Sequence, residues 1–204
     1  MRILELFSGT GSVGNVCREL GMEVISLDRD MEADIKTEIM DWDYLQLPCG
    51  HFDVIWASPP CTEYSIAKTV GVRKIDAAND VVRRTLTVIR YFDPTYWIME
   101  NPQTGLLKNQ EFMADLSYYD VDYCKYGMPY RKRTRLWHNL DCWTPRPLCM
   151  RDCGGMNDAG TKHRTRAQRS PSGNGYEGSH HSVRQLYRVP PELIREIMTA
   201  ITES

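Results

Sequence analysis

Short apolar runs and polar turns alternate along the chain, and the runs follow two periods. Stretches at 2–7, 23–28, 34–38, 52–57, 96–100, 119–124 and 134–138 are apolar or alternating and predict strands. Between the first two, Val13, Val16, Cys17 and Leu20 recur at helical spacing and Gly21 supplies a stop. Further on, Val81, Val82, Leu86, Val88 and Ile89 mark the core face of a longer helix. Helices that alternate with most of the early strands predict an α/β fold, a doubly wound and mostly parallel Rossmann-like sheet with a small irregular insert. With 204 residues, 42% of them hydrophobic, the chain can bury one full core, and it carries no internal repeat.

Three strand ends carry candidate chemistry. Arg2 to Phe7 runs straight into Ser8-Gly9-Thr10-Gly11-Ser12-Val13-Gly14, a strand, glycine turn and helix of the kind that cradles nucleotide cofactors. The following strand ends at Asp28, seventeen residues after Gly11, where an acid can accept hydrogen bonds from a ribose diol. No Gly-Lys-Ser/Thr follows, so this is not a Walker loop. Gly9, Gly11 and Gly14 do fit G-x-G-x-x-G, which leaves a nicotinamide cofactor open on this motif alone.

At the second end, Val54-Ile55-Trp56-Ala57 leads into Ser58-Pro59-Pro60-Cys61, which places a thiol above the carboxyl edge of a buried strand. Proline stiffens that turn, so Cys61 is a candidate nucleophile; a small buried apolar residue is the alternative. The third end, Tyr96-Trp97-Ile98-Met99-Glu100-Asn101-Pro102, places a carboxyl group on the same edge, unless Glu100 is merely solvated or capping a helix. Arg131, Arg133 and Arg135 alternate as one face of a strand would, an anion or base-edge clamp or else a solvated basic strand.

Phe7-Ser8-Gly9-Thr10-Gly11, Ser58-Pro59-Pro60-Cys61, Glu100-Asn101-Pro102 and Arg131-Lys132-Arg133-Thr134-Arg135 stand in the order and approximate spacing of the signature motifs of the DNA (cytosine-5) methyltransferases. The resemblance runs through residues 1 to 137, and Tyr187 to Ile194 looks like that family's returning C-terminal segment. It implies the S-adenosylmethionine-dependent methyltransferase fold and methyl transfer to carbon 5 of cytosine in DNA, with RNA as an alternative nucleic acid. Its implied catalytic residues are Cys61, Glu100, Arg133 and Arg135. Cys61 would add to carbon 6, Glu100 would neutralise charge on the ring, and the arginines would lower the thiol's pKa, Arg135 also meeting the base. For the S-adenosyl-L-methionine cofactor the resemblance implies Phe7, Ser8, Gly9, Thr10 and Gly11 on the methionine side, Asp28 on the ribose and Asp41 on the adenine amine, with Pro59 beside them. Asp43, two residues on, competes with Asp41 for that place.

Departures from the family pattern are also legible. Members usually carry Pro-Cys-Gln, Glu-Asn-Val and Gln-x-Arg-x-Arg, whereas this chain has Thr62, Pro102 and Arg131 at the variant places. The target-recognition region must fit between His138 and Arg184, so the chain reads as a compact form without a large recognition domain, of phage or viral type. The expected division is a catalytic and cofactor-binding domain at 1–138, a basic Cys/His insert at 139–183 and a returning segment at 184–204.

Charge and cysteines sharpen this picture. Net charge is −2, yet residues 131 to 188 hold twelve Lys and Arg against four acids, while residues 1 to 130 hold twelve against twenty. Lys162 to Arg169, followed by a Ser/Gly-rich stretch at 170–175, reads as a phosphate-binding arm or a solubilising loop. Residues 65 to 74 read as a positively charged lid or an ordinary connection. Cys142, Cys149, Cys153 and His163 lie close enough in sequence to close a structural zinc site, although their spacing is irregular. Seven cysteines, no secretory signal and no apolar run near ~20 residues predict a reducing cytoplasm, bacterial or that of an infected host cell, no membrane, and a monomer. Two other classes stay open: an exocyclic amino-methyltransferase, since Ser58-Pro59-Pro60 resembles the S-P-P-Y/W box of that group, and a non-catalytic cofactor-binding adaptor for nucleic acid.

Overall fold

The computed structural model describes residues 1–167 and 181–204; the expected arm beyond Ala167, including Arg169 and the 170–175 stretch, lies outside the described residues, as does His180. In chain order the elements are β1 (Arg2–Leu6), α1 (Ser12–Glu19), β2 (Glu23–Asp28), β3 (Ile35–Lys36), β4 (Val54–Ala57), α2 (Ile75–Phe92), β5 (Tyr96–Pro102), β6 (Tyr118–Asp122), β7 (Tyr130–Arg131), β8 (Arg133–His138), β9 (Thr165–Arg166), α3 (Val183–Tyr187) and α4 (Pro191–Glu203). Seven strands form one sheet in the order β3-β2-β1-β4-β5-β8-β6, and β7 pairs with β9 in a second, two-stranded sheet. Neighbours from β3 to β5 run parallel, and β8 runs antiparallel between β5 and β6.

Parity along each strand decides which helix covers which face. Val54 and Trp56 join Ile3, Ile98 and Leu136 in a core shared with Val16, Cys17, Leu193, Ile194 and Ile197, so α1 and α4 cover this side. Ile55 and Ala57 point the other way, with Leu4, Leu6, Met99 and Trp137, into a core closed by Val82, Leu86, Ile89 and Phe92 of α2. A strand buried on both faces needs apolar residues at every position, which explains the unbroken Val-Ile-Trp-Ala of β4. Leu20, expected on the inner face of α1, is instead 40% exposed because the helix ends at Glu19 and Gly21 turns the chain away in the left-handed region.

Fewer helices alternate with the early strands than the pattern predicts. Between β3 and β4 the chain makes only a 3-10 turn at Tyr44–Gln46, and the expected strand at 34–38 shrinks to two residues. Aromatic rings take over the covering role: Trp42 and Phe52 pack on Phe92 with centroids 6.0 and 4.9 Å apart, the second pair edge to face. Large rings bury about 150–250 Å² each, so a loop that carries several of them covers this face. Among the described residues no helix is long and apolar enough to cross a membrane.

Register sets the functional edge. Leu27, Leu6, Ala57 and Met99 lie on one rung across β2, β1, β4 and β5. The residues that follow them, Asp28, Phe7, Ser58 and Glu100, therefore emerge side by side at the carboxyl edge of the sheet.

Candidate active site

The β1–α1 turn is built from left-handed backbone, which glycine adopts freely and Phe7 does not. Phe7, Gly9 and Gly11 all take positive φ, at 60°, 54° and 68°. Gly11 caps α1 without a side-chain hydrogen bond, and Glu5 substitutes from inside the sheet by accepting the N–H groups of Val13 at 3.2 Å and Gly14 at 3.0 Å. Burial pushes the Glu5 carboxyl up to about 7 despite those two donors. A Cβ on Gly14 would stand 2.6 Å from Glu5 Oε2, so the third glycine of the apparent dinucleotide fingerprint is there to admit a carboxylate.

Asp28 ties this turn to β2: its Oδ2 accepts the Gly9 N–H at 2.8 Å, and its Oδ1 accepts those of Asp30 and Met31, each at 2.8 Å. In front of the turn lies a cleft of about 730 Å³ whose walls include Ser8, Gly9, Thr10, Gly11, Asp30 and Arg188. The Ser8 hydroxyl is buried without a hydrogen-bond partner. Asp41 is exposed outside those walls, with its N–H bonded to the Glu38 carbonyl; Asp43 is also exposed, and its carboxylate accepts from Gln46 at 3.1 Å.

Two anchors hold the thiol turn. The Ser58 N–H bonds to the Leu6 carbonyl at 3.1 Å, and Asn101 Nδ2 donates to the Pro59 carbonyl at 2.9 Å. The Cys61 carbonyl then accepts the Tyr64 N–H, which leaves the half-buried thiol above the β4–β5 edge. Burial raises its pKa, the nearby negative charge of Glu100 raises it further, and Lys132 opposes both. Glu100 Oε1 accepts the Tyr123 hydroxyl at 2.8 Å and lies 3.5 Å from Lys132 Nζ. Lys132 also sits over the Tyr123 ring, 4.9 Å from its centroid, and donates to the Leu186 carbonyl. Burial, and then Glu100, hold the Tyr123 phenol well above its ordinary value.

The expected arginine clamp is differently engaged. Arg133 makes a two-point contact with Asp122 at 3.1 and 2.8 Å, joined by Arg131 Nε at 3.1 Å, and Arg135 makes one with Asp120 at 2.8 and 3.0 Å while covering the Tyr118 ring. These are the cross-strand rungs of β8 on β6, Arg135 opposite Asp120 and Arg133 opposite Asp122. The expectation that Arg133 and Arg135 depress the Cys61 pKa is corrected accordingly: the cation acting on that thiol is Lys132, of opposite parity. Asp120-x-Asp122 repeats with the same period as Arg133-x-Arg135, and that was the available signal.

Loop 62–74 also keeps its charge to itself. Lys68 pairs with Glu63 at 2.6 Å, and Arg73 donates to the carbonyls of Glu63, Ser65 and Lys68. Ile66, Val70 and Val72 are exposed beside the exposed Lys74, so of the two readings the loop follows the ordinary connection more closely than a positively charged lid: Lys68 and Arg73 are bridged within it.

In the insert, Cys149, Cys153 and His163 come together as expected, but the fourth member is Cys124, not Cys142. Cys142 packs against the α1–α4 core beside Trp143, and its thiol interacts with the Tyr96 hydroxyl. Cys124 lies in a 3-10 turn, Tyr123–Tyr126, that follows β6, outside the stretch where the spacing argument looked.

A glycine turn, a thiol turn and a carboxylate on one edge of a sheet whose penultimate strand is reversed define an α/β enzyme of the methyltransferase fold. The chain is 35% identical over 216 residues to the "Probable DNA (cytosine-5)-methyltransferase" of Frog virus 3 (isolate Goorha), an alignment covering 97% of this chain and 99% of the relative. It belongs to the DNA (cytosine-5)-methyltransferase family. No family model matches the chain. Among solved structures, one described as a prophage-encoded DNA modification methyltransferase from E. coli shares the fold with a TM-score of 0.55 and 16% identity, over 73% of this chain and 52% of its own. S. pombe Dnmt2 methyltransferase aligns with a TM-score of 0.48 and 13% identity, over 71% of this chain and 51% of its own. The chain thus spans about half the length of these two structures.

Proposed function

We propose that the protein transfers a methyl group to carbon 5 of cytosine in DNA through a transient bond between Cys61 and carbon 6 of the base. The observation that carries this is register: β4 and β5 are adjacent and parallel, so the Ser58–Cys61 turn and Glu100 leave one carboxyl edge together, with Lys132 Nζ 3.5 Å from Glu100 Oε1.

The Ser8–Gly11 wall of the cleft suits the methionine end of S-adenosylmethionine, while Phe7, Asp28 and Pro59 lie outside its lining. An unpartnered buried serine hydroxyl and a turn with glycine at two left-handed positions suit a polar ligand pressed close to the backbone. Ser8 to Gly11, with Phe7 and Pro59, would hold the methionine portion. Asp28 would hold the ribose, since a carboxylate has about four acceptor sites and three are engaged by backbone. Asp41 would take the adenine amine from outside the walls of the cleft, if the cofactor's adenine end extends beyond them. When bound, the cofactor supplies an electrophilic methyl group on sulfur.

Cys61 gives its proton to solvent, and the thiolate adds to carbon 6, making carbon 5 electron-rich enough to accept the methyl group. Tyr123 and Lys132 occupy Oε1 of Glu100, so Oε2 is the atom we assign to ring nitrogen 3: Glu100 takes a proton from solvent as the base binds, shares it with that nitrogen as charge develops, and recovers it when the Cys61 bond breaks. After transfer the hydrogen at carbon 5 leaves to water and the Cys61 bond breaks. Arg133 and Arg135 each spend two of five N–H donors on an aspartate, and we assign the rest to the base's carbonyl oxygen and the adjoining phosphates. A paired base must leave the stack to reach this edge.

In this reading residues 1–138 form the catalytic unit, 139–183 a reduced recognition insert and 184–204 the returning segment. The support is that α4 packs on α1 and the Val189 N–H reaches the Ser12 hydroxyl at 3.2 Å. The protein would act as a monomer on DNA in the cytoplasm. A 5-fluorocytosine oligonucleotide with S-adenosylmethionine tests the mechanism: a denaturation-resistant adduct is expected and should vanish in Cys61→Ser. Methylation of ordinary cytosine without any adduct would exclude the Cys61 route and favour exocyclic amino transfer.

A further inference from the structure

We propose that Cys124, Cys149, Cys153 and His163 bind one zinc ion, which fastens the 139–167 segment to the end of β6. The inference is independent of the methyl-transfer reading, because it concerns residues that the chemistry does not use. The four donor atoms lie within 4.8 Å of one another. His163 Nε2 stands 3.6 Å from Cys149 Sγ and 3.2 Å from Cys153 Sγ. A tetrahedron with Zn–S bonds of about 2.3 Å and a Zn–N bond of about 2.0 Å has edges of about 3.5 to 3.8 Å, so small side-chain adjustments complete it. Three sulfurs and an imidazole make a soft, closed set that suits zinc and not magnesium or calcium.

The backbone is arranged to bring the donors together. Cys149 is placed by its own N–H, which Asp122 Oδ2 accepts at 3.0 Å. His163 is returned to the site by a tight reversal: Met156 and His163 form an antiparallel bridge, Asn157 N–H bonds to the Lys162 carbonyl at 2.9 Å, and the Asn157 side chain accepts the Thr161 N–H. Between 139 and 167 the buried apolar side chains are Leu140, Trp143 and Cys149, too few for a core of its own, the situation in which small segments use a metal. Each thiol would lose its proton to solvent as its bond to the metal forms.

The consequence reaches the nucleic-acid side. Asp122, which holds Cys149, also receives Arg131 and Arg133, and β9 pairs Arg166 with Arg131. A metal at this point would fix the insert and those cations in one frame.

Metal analysis of the full chain, purified under reducing conditions and dialysed without chelator, should find one zinc per chain. Cys142→Ser should keep it, and Cys124→Ser should lose it. Stoichiometric zinc in Cys124→Ser, or its loss in Cys142→Ser, would overturn the ligand assignment. Should Cys124→Ser fail to fold, cobalt exchanged into the unaltered protein decides: tetrahedral bands with charge transfer from three thiolates are expected. Absence of zinc from the unaltered protein in zinc-supplemented buffer, or a cobalt spectrum with fewer thiolates, would overturn the proposal.

Discussion

Asn101 Nδ2 donates to the Pro59 carbonyl at 2.9 Å, joining the end of β5 to the turn that carries Cys61. Asn101 is fully buried, so neither group has water to fall back on. Asn101→Ala should cost about 1–3 kcal/mol, the penalty for leaving a buried acceptor unpaired. Adduct formation in single turnover should slow, and cofactor affinity should fall by a smaller factor, since Pro59 is only one of the residues assigned to the methionine portion. Thermal unfolding and cofactor titration of the variant check both.

Cys61 should behave as a thiol in the free protein. Burial and Glu100 raise its pKa and Lys132 lowers it. The thiolate is the form that reacts, so the rate of alkylation by iodoacetamide, corrected with Cys61→Ser, should rise with pH to a midpoint above that of an ordinary cysteine. Glu100→Gln removes a negative charge and should move the midpoint down; Lys132→Met removes a positive one and should move it up. The reverse order would contradict the electrostatics.

Glu5 links stability to pH. Its carboxyl rises from 4.5 to about 7 on folding. A raised pKa means that the folded state binds the proton more tightly, so the contribution is complete below about 4.5 and is lost as pH climbs through about 7. The whole swing is roughly 3 kcal/mol. Glu5→Gln should unfold with a flatter dependence on pH between 4.5 and 8, measured by urea denaturation, although the amide forfeits one of the two backbone hydrogen bonds.

Gly14→Ala should be destabilising by about 1–3 kcal/mol, because its methyl group would press on the pinned Glu5 carboxylate at 2.6 Å. Gly21→Ala provides the contrast: nothing lies near that position, and the expected cost is that of its left-handed backbone alone. Melting temperatures of the two variants separate crowding from backbone strain.

Arg135 and Asp120 form a two-point pair whose side chains are 12% and 20% exposed. A double-mutant cycle with Arg135→Met and Asp120→Ala should give a coupling of roughly 1–3 kcal/mol in stability. Arg135→Lys keeps the charge and loses the fork, so stability should fall and kcat/KM should drop with it.

The strands of the main sheet were legible because doubly buried strands are apolar along their whole length, as in Val54 to Ala57. Cys61 and Glu100 were legible for the same reason: each ends such a run, and parallel register carries the ends to one edge. The engagement of Arg133 and Arg135 was not, since alternation shows that side chains share a face without showing what lies opposite. Cys124 escaped because a cluster assembled from two distant segments leaves no local spacing. The missing crossover helix escaped because Trp42 and Phe52 read as isolated rings until the chain brings them to Phe92.

The reversed strand β8 has a bearing on biosynthesis. It inserts between β5 and β6, and a chain emerging from the ribosome has made both of those before residue 133 appears. Until then β5 presents an open row of backbone donors and acceptors, a surface to which other nascent chains can adhere. The last strand of the sheet to be synthesised is thus also its seal, and translation stalled between residues 102 and 133 leaves a half-sheet in need of a chaperone.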